Sequence, residues 1–516
     1  MTSLHNALNL TRRTGPLDDI VSFFLTIGCP ALAAYSLQIT HLNKHWITAE
    51  LLDVEYPNSE HVATALAALH HVPIQIEYRP PFLHSLIVLL ENDKFWSRLA
   101  AANTTRRWSI PLVMSYVLAV FALLLTIADS IVNLPYQSGF SIASVWTFLL
   151  PLIIGWLHVG CEPEPSHLRK TLAAANQNVW VATEHRGHPV KMTFPKAIEF
   201  ARASSVDADG GVDLARNDEL KPVPVFNYSR AFVTPMIAST VLRLMKKAAA
   251  NAKQETPVGN SEDVGRVAVW AENEAGKISS QNRVGTDAEV VEYCTRVLQQ
   301  PKRHSDSITP FEIQSSEMTL SMHPPLDYGF IVPSRWAPGI WKRVVVASVL
   351  ALGLQWGTVG AAFFLQYTTP PKGLGCRALS FLLYSVAATF AFLLFLASSI
   401  LAHMSRPLPG QAPTPSWLRT CQGTGATVCR WSGKCLAIAS AIGILLVCFF
   451  HVNSMFNNCY CSSTSFSMED RFVVFSGINY TTDFGVVWIW VGALAFAFLT
   501  ATLFGFSMYA SLPPRR

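Results

Sequence analysis

The chain has 516 residues, of which 50% are hydrophobic and only 14% are charged. Ordinary soluble proteins carry roughly 25% charged residues, so this composition argues against a wholly water-soluble chain. The net charge of +5 at pH 7 is too small to indicate nucleic acid as a partner. The predicted fold class is an all-α polytopic membrane protein, part of which lies in water.

Seven apolar stretches are long enough to cross a hydrocarbon core, which takes roughly 20 helical residues. In chain order they are residues 20–40, 110–132, 140–159, 344–365, 379–402, 435–452 and 486–508. The last four contain no Asp, Glu, Lys or Arg. Gly28 and Pro30 interrupt the first, which could instead be a signal peptide behind Arg12 and Arg13. Its length and the lack of a small-x-small cleavage site favour a retained span.

Basic residues give the orientation, because Lys and Arg near span ends prefer the cytoplasm. Seven spans divide the 39 basic residues 34 to 5 between the two sides. This places the tail 1–19 outside and the tail 509–516 inside, with cytoplasmic regions at 41–109, 161–343 and 403–434. The predicted location is the plasma membrane or another membrane of the secretory pathway.

The region between spans three and four, residues 161–343, is predicted to be a large, partly disordered helical loop on the cytoplasmic side. Three longer helices are predicted in it, at 165–181, 194–203 and 229–253. The cytoplasmic region before span two is predicted as helix, strand and helix, and its alternating residues 72–78 form the strand.

Three cysteines, Cys376, Cys459 and Cys461, fall on the predicted outer, oxidising side. A disulfide from Cys376 to either of the other two would join the loop after span four to the loop after span six. That pairing leaves one thiol over, and the alternative with no bridge stays open. No CxxC pair occurs, so no zinc site is predicted.

Polar groups inside the predicted spans are few. Asp129 lies near the outer end of span two, where headgroups can solvate it. Gln355 lies in the middle of span four and is expected to hydrogen-bond across helices, at about 1 kcal/mol; a contact with a substrate is the alternative. Gly353 and Gly357 form a small-xxx-small pair, which predicts a helix-packing face within this chain.

Catalytic patterns are missing from the sequence. It contains no phosphate-binding loop, no HExxH motif and no GxSxG motif, and no cofactor or metal is predicted. His158 and His167 flank residues of metal-ligand type, but Pro163 and Pro165 stand between them and prevent a common helical face. We interpret that stretch as a junction at the membrane surface, and the sequence leans away from an enzyme.

Two blocks carry a family resemblance. One is Gln355-Trp-Gly-Thr-Val-Gly360 followed by Thr369-Pro-Pro-Lys-Gly-Leu-Gly-Cys-Arg377, and the other is Asn227-Tyr-Ser-Arg-Ala-Phe232 before a basic helix. They resemble a family of uncharacterised multi-span membrane proteins of filamentous ascomycete fungi. The resemblance covers about a third of the chain and implies no activity, substrate or catalytic residue.

The function predicted from these patterns is that of a non-enzymatic membrane scaffold or interaction protein that acts through its cytoplasmic loops. Its expected partners are the lipid bilayer and a cytoplasmic protein that binds region 161–343; no nucleic acid is expected. The alternative is a transporter of an apolar small molecule or fungal metabolite. A membrane-embedded enzyme using the junction between His158 and His167 is the third hypothesis.

Glycosylation tests the predicted orientation. Asn479 and Asn9 are the acceptors on the predicted outer side, whereas Asn103 and Asn227 fall on the inner side. Glycosidase treatment should therefore increase the gel mobility of the wild-type protein, and the Asn479→Gln variant should lose most of that shift. Modification of Asn103 or Asn227 alone would contradict the orientation.

Overall fold

The computed structural model describes fewer residues than the sequence contains. The described residues are 16–70, 74–76, 86–87, 92–101, 120, 124, 138–159, 174–175, 179–181, 190–191, 198–200, 218–219, 221, 224–253, 334–369, 373–406, 415–453, 455–456 and 484–510. The predicted span 110–132 lies almost wholly outside them, as does Asp129.

The described part of the chain is mostly helical. The helices before residue 160 are α1 (Pro16–Gly28), α2 (Pro30–Leu52), α3 (Ser59–Ala67), α4 (Asp93–Ala101), α5 (Ser138–Trp146) and α6 (Leu149–Val159). The later helices are α7 (Val233–Lys253), α8 (Ile340–Thr368), α9 (Cys376–Met404), α10 (Ser416–Val452) and α11 (Phe484–Ala510). Two short 3-10 helices cover Ala68–His70 and Pro224–Arg230.

Four short strands within the described residues form two small antiparallel sheets. β1 (Ile74–Ile76) pairs with β4 (Ile198–Phe200), and β2 (Trp180–Val181) pairs with β3 (Val190–Lys191). The strand predicted within 72–78 is therefore confirmed. The helices predicted at 165–181 and 194–203 are wrong where β2 and β4 stand. β2 pairs with the nearby strand β3 and β4 with the distant strand β1, and such cross-strand pairing outweighs the local helical pattern.

The membrane character of the chain is shown by α8, α9, α10 and α11. Each of these four helices is long and apolar enough to cross a membrane, and α1 with α2 makes a fifth candidate if that bent pair is one span. The described residues thus contain four or five candidate spans, and the predicted number of seven is not confirmed. Predicted span three is divided into the short helices α5 and α6.

An apolar outer surface covers α8 to α11. Many large apolar side chains of these helices are more than a third exposed, among them Val349, Phe364, Leu383, Phe390, Leu446, Trp488 and Phe506. Soluble proteins rarely expose apolar patches beyond a few hundred Å². Such a surface is expected to contact lipid, which agrees with an integral membrane protein.

Helix α2 lies at the centre of the bundle. Every residue from Pro30 to His41 is buried, and α2 contacts α8, α9, α3 and the 3-10 turn Pro224–Arg230. The stretch is mostly apolar, as is usual for a helix that is buried on all sides. The chain bends by 101° between α1 and α2, at Cys29 and the helix-starting Pro30.

Helix α10 is longer than the predicted span 435–452. It begins at Ser416 and has 37 residues, about 55 Å at 1.5 Å per residue, against a hydrocarbon core of about 30 Å. Most of the predicted loop 403–434 is therefore the first half of this helix. That half carries Arg419, Arg430 and Lys434.

Glycine allows close helix contacts in the described bundle, most tightly at Gly28. A Cβ on Gly28 would lie 1.8 Å from the carbonyl oxygen of Ala437 in α10, and a Cβ on Gly357 would lie 2.6 Å from the side chain of Thr500 in α11. A Cβ on Gly353 would meet nothing within 4 Å. The predicted packing face within the chain is thus present at Gly357 but not at Gly353.

Replacing Gly28 should destabilise the bundle. The Gly28→Ala variant forces α1 away from the backbone of α10 and should lower the free energy of unfolding by about 1–3 kcal/mol. Thermal unfolding of the purified full-length protein measures this. Gly443→Ala, in α10 itself, is the control, because a Cβ there meets nothing within 4 Å. Equal melting temperatures for the two variants would contradict the predicted contact.

Candidate functional site

The 3-10 turn Pro224–Arg230, called the anchor turn below, packs against the helical bundle. It contains the start of the Asn227–Phe232 block noted in the sequence. Its backbone accepts hydrogen bonds from two buried serines: Ser36 Oγ of α2 to Val225 O at 2.8 Å, and Ser399 Oγ of α9 to Tyr228 O at 2.9 Å. These bonds satisfy carbonyl groups that would otherwise be buried without partners.

A fully buried carboxylate, Asp218, connects the anchor turn to α10. Lys434 Nζ donates to Asp218 Oδ1 at 2.6 Å, and the Tyr228 hydroxyl donates to Asp218 Oδ2 at 2.7 Å. Burial acts to raise the pKa of Asp218. The charges of Lys434 and Arg430, together with the two hydrogen bonds, outweigh it and hold that pKa below its ordinary value. The carboxylate is therefore ionised at neutral pH.

A second ion pair lies beside the first. Arg406, just after α9, donates to Glu219 Oε2 at 2.5 Å, and both side chains are mostly buried. Arg230 is 5% exposed and donates to three backbone carbonyl oxygens, those of His70, Glu219 and Lys221, at 2.8–3.1 Å. Its guanidinium also donates to Asn227 Oδ1. Arg230 therefore holds together three separate pieces of the chain.

Asn43 of α2 links the anchor turn to α8. Its Nδ2 donates to Ala231 O at 3.1 Å, and its Oδ1 accepts from Arg343 Nε at 2.8 Å. The Arg343 guanidinium lies 4.4 Å from the ring centroid of Trp46, a favourable cation–π distance. Arg343 is thus a structural cation as well as one of the basic residues expected at a cytoplasmic span end.

Gln355 lies at the bend between α1 and α2 and is fully buried. Its Oε1 accepts from the backbone N–H of Ala31 at 3.2 Å. Its Nε2 donates to Ser385 O at 3.1 Å and to Thr389 Oγ1 at 3.0 Å. The amide therefore supplies an acceptor to the start of α2, where the first N–H groups of a helix have no partner within it. This is the predicted cross-helix hydrogen bonding.

Two further contacts hold the bend against α9. The Tyr384 hydroxyl donates to Ile27 O, and Cys29 Sγ donates to Ala388 O at 3.2 Å. The carbonyl oxygen of Ile27, at the end of α1, and that of Ala388, in α9, are thereby both hydrogen-bonded. The bend is a fixed joint between α1, α2, α8 and α9 rather than an open end of backbone.

An apolar groove lies between α8 and α11. Its volume is about 530 Å³. It is lined by carbon-rich residues and no ionisable group: Trp356, Gly360, Ala361, Phe363, Phe364, Ile489, Gly492, Ala493 and Phe496. Phe364 and Phe496 are each 53% exposed, so the groove opens on the apolar outer surface.

The other predicted site residues are distributed as follows. Cys376 is disulfide-bonded to a partner outside the described residues, since the other described cysteines are free. Cys459 and Cys461 lie outside the described residues, and their pairing stays a prediction. The acceptors Asn479 and Asn9 are also outside them.

Sequence reasoning did not find the buried charges of Asp218, Glu219 and Arg230. Residues 204–224 are rich in Asp and Gly, and this pattern predicts a solvated linker. The available signal was the run of basic residues in the first half of α10, which has no acidic residue nearby in sequence. Buried cations require partners, but nothing in the sequence says which segment provides them.

The described residues contain no group of three His, Cys, Asp or Glu side chains that could hold a metal ion. No protein-family model, curated protein or solved structure matches this chain. The arrangement of the site therefore has to be interpreted from its own geometry.

Removing one partner of the Asp218–Lys434 pair should be strongly destabilising. Asp218→Asn leaves Lys434 buried without the carboxylate, and breaking a buried pair costs about 3–5 kcal/mol. The double variant Asp218→Asn/Lys434→Met should recover a large part of that loss. Unfolding free energies of the single and double variants measure the coupling, and additive losses would contradict it.

The control is Glu50→Gln, which breaks the exposed pair of Glu50 with Lys246 and should cost less than about 1 kcal/mol. The acid dependence is a second measurement. Because the pKa of Asp218 is lowered by folding, its contribution is present above about pH 4 and is lost as pH falls further. Wild-type stability should decline more steeply below that pH than the stability of Asp218→Asn.

Proposed function

We propose that this multi-pass membrane protein is a non-enzymatic scaffold whose water-soluble region holds a cytoplasmic protein at the membrane. The observation that carries the proposal is the anchor turn. Asp218 connects this turn to α10, because it accepts from Tyr228 of the turn and pairs with Lys434 of α10. Ser36 of α2 and Ser399 of α9 donate hydrogen bonds to the backbone of the turn. The middle of region 161–343 is thereby fixed to the spanning helices rather than connected to them only by its two ends.

A fixed middle gives the region a defined position for recognising a partner. Helix α7 follows the anchor turn and is buried over most of its length against α2 and α3. Residues 254–333 then lie between α7 and α8. Preorganising a binding region lowers the ordering cost of association, which supports a role in holding a partner. The proposed location is a secretory-pathway membrane or the plasma membrane, and the basic-residue count supports the cytoplasmic side for region 161–343.

The second candidate function is transport of an apolar small molecule. Two observations favour it: the 101° bend between α1 and α2, since broken helices often form transport sites, and the uncharged groove between α8 and α11. Against it, the acceptor and both amide donors of Gln355 are used within the protein. The scaffold therefore stands first.

Deleting residues 254–333 separates the two functions. The full-length protein and the deletion variant, with Lys253 joined to Ser334 by a flexible linker, would be crosslinked in native membranes and purified. The scaffold predicts a reproducible protein partner that the deletion loses, while the anchor-turn contacts and the melting temperature are retained. An identical partner set for both proteins would contradict it.

Transport is tested on the same preparations. Liposomes containing the wild-type protein or Gln355→Leu would be assayed for release of a panel of apolar fluorescent solutes, with protein-free liposomes as the control. The scaffold predicts no release above that control. Release by the wild-type protein that Gln355→Leu reduces would establish the transporter in its place.

A further inference from the structure

Gln355 marks the middle of the membrane-spanning part of α8, since it lies halfway along the apolar stretch 344–365. Its Nε2 donates to Thr389 Oγ1 at 3.0 Å, so Thr389 of α9 lies at the same depth. Phe395 follows Thr389 by six residues, which is about 9 Å along a helix. The hydrocarbon core extends about 15 Å to either side of its middle, and Phe395 therefore lies inside it.

Two contacts bring the first half of α10 to the depth of Phe395. A Cβ on Gly433 would lie 3.3 Å from the Phe395 ring, and Ser398 Oγ of α9 donates to Ala426 O of α10 at 2.7 Å. This part of α10 thus packs beside the apolar second half of α9. The sequence instead assigns it to the cytoplasmic loop that ends at residue 434.

The outward face of the same part of α10 is uncharged. Val428 is 57% exposed and Trp431 is 59% exposed, and Ser432 is exposed between them and the apolar half of the helix. The basic side chains Arg430 and Lys434 are only 4% and 8% exposed. A helix face in water is normally polar or charged, whereas a helix in lipid turns its ionisable groups toward the bundle interior.

The ring of Trp431 lies between the outward face and the buried ion pair. Lys434 Nζ is 5.7 Å from the Trp431 ring centroid and 5.5 Å from the Phe226 ring centroid, and it donates to Asp218 Oδ1 at 2.6 Å. Lys434 directly follows Gly433 in α10. The ion pair is therefore at the depth of Phe395, with an aromatic ring on its outer side.

The anchor turn gives the same depth through α2. Gln355 accepts from the N–H of Ala31, which places the start of α2 at the middle of the membrane. Ser36, whose Oγ donates to Val225 O at 2.8 Å, is five residues further along α2, or about 8 Å. Two independent helix contacts thus place the anchor turn and its ion pair inside the hydrocarbon depth.

We propose that the ion pair of Asp218 and Lys434 lies within the hydrocarbon layer of the membrane, and that lipid acyl chains contact the α10 face of Val428, Trp431 and Ser432. The Trp431 ring separates the ammonium group from those chains. Region 161–343 then enters the membrane-embedded bundle at the anchor turn. This inference concerns depth and lipid contact, and it does not rest on the proposed scaffold function.

Thiol accessibility of the full-length protein in lipid nanodiscs tests the depth. Ser432→Cys, Ser416→Cys and Ala439→Cys each place a thiol at an exposed position of α10, and peptide mass spectrometry would follow its reaction with a charged maleimide. Ser432→Cys should react about tenfold more slowly than Ser416→Cys, because an apolar environment disfavours the reactive thiolate. Ala439→Cys, inside the predicted span, should be as slow as Ser432→Cys. Equal rates at positions 432 and 416 would overturn the proposal.

Photo-crosslinking identifies what covers the face. The wild-type protein would be reconstituted with phosphatidylcholine that carries a diazirine in an acyl chain. Peptides that contain Trp431 and Ile442 should both acquire the lipid, since both residues are exposed on α10. Lipid on the Ile442 peptide alone would show that water or protein covers Trp431, and it would overturn the lipid contact. Neither experiment depends on a protein partner, so failure of the scaffold proposal would leave its result unchanged.

Discussion

The fully buried carboxylate of Asp218 determines where the anchor turn meets α10. An ionised carboxylate away from water is stable only with opposite charge and hydrogen bonds. Here Lys434 and Tyr228 supply them. Lys434 is a mostly buried cation and therefore requires a negative charge beside it. The ion pair between Asp218 and Lys434 thus fixes the anchor turn, and with it the start of α7, against α10.

The central position of α2 follows from a related constraint. A helix surrounded by protein from Pro30 to His41 cannot leave its first backbone N–H groups to water, so other elements must accept them. Gln355 from α8 accepts from Ala31, and α9 holds Gln355 in place through Ser385 and Thr389. The bend, the central helix and the polar glutamine of α8 are thus one arrangement, because Gln355 satisfies an N–H at the start of α2 and is itself hydrogen-bonded by α9.

The sequence predicts the membrane helices better than it predicts the site. Long uncharged stretches define α8, α9, α11 and the second half of α10, because lipid demands continuous apolar length. The role of Gln355 as a cross-helix hydrogen-bonding group follows from the same rule. The position of Asp218 does not, because a charged residue in a Gly-rich stretch is normally solvated. Its burial results from a contact with Lys434 more than two hundred residues later, which local pattern cannot specify.

Basic residues at one end of the bundle serve purposes that a count by side cannot separate. Lys434 and Arg406 are paired with carboxylates of the region before α7, and Arg343 is held by Asn43 and Trp46. These three would be retained for folding even if they did not orient the chain. Arg335 and Arg419 have no such carboxylate among the described residues. The structure thus divides the positive charge at this end of the bundle into cations that buried carboxylates neutralise and cations without such a carboxylate among the described residues.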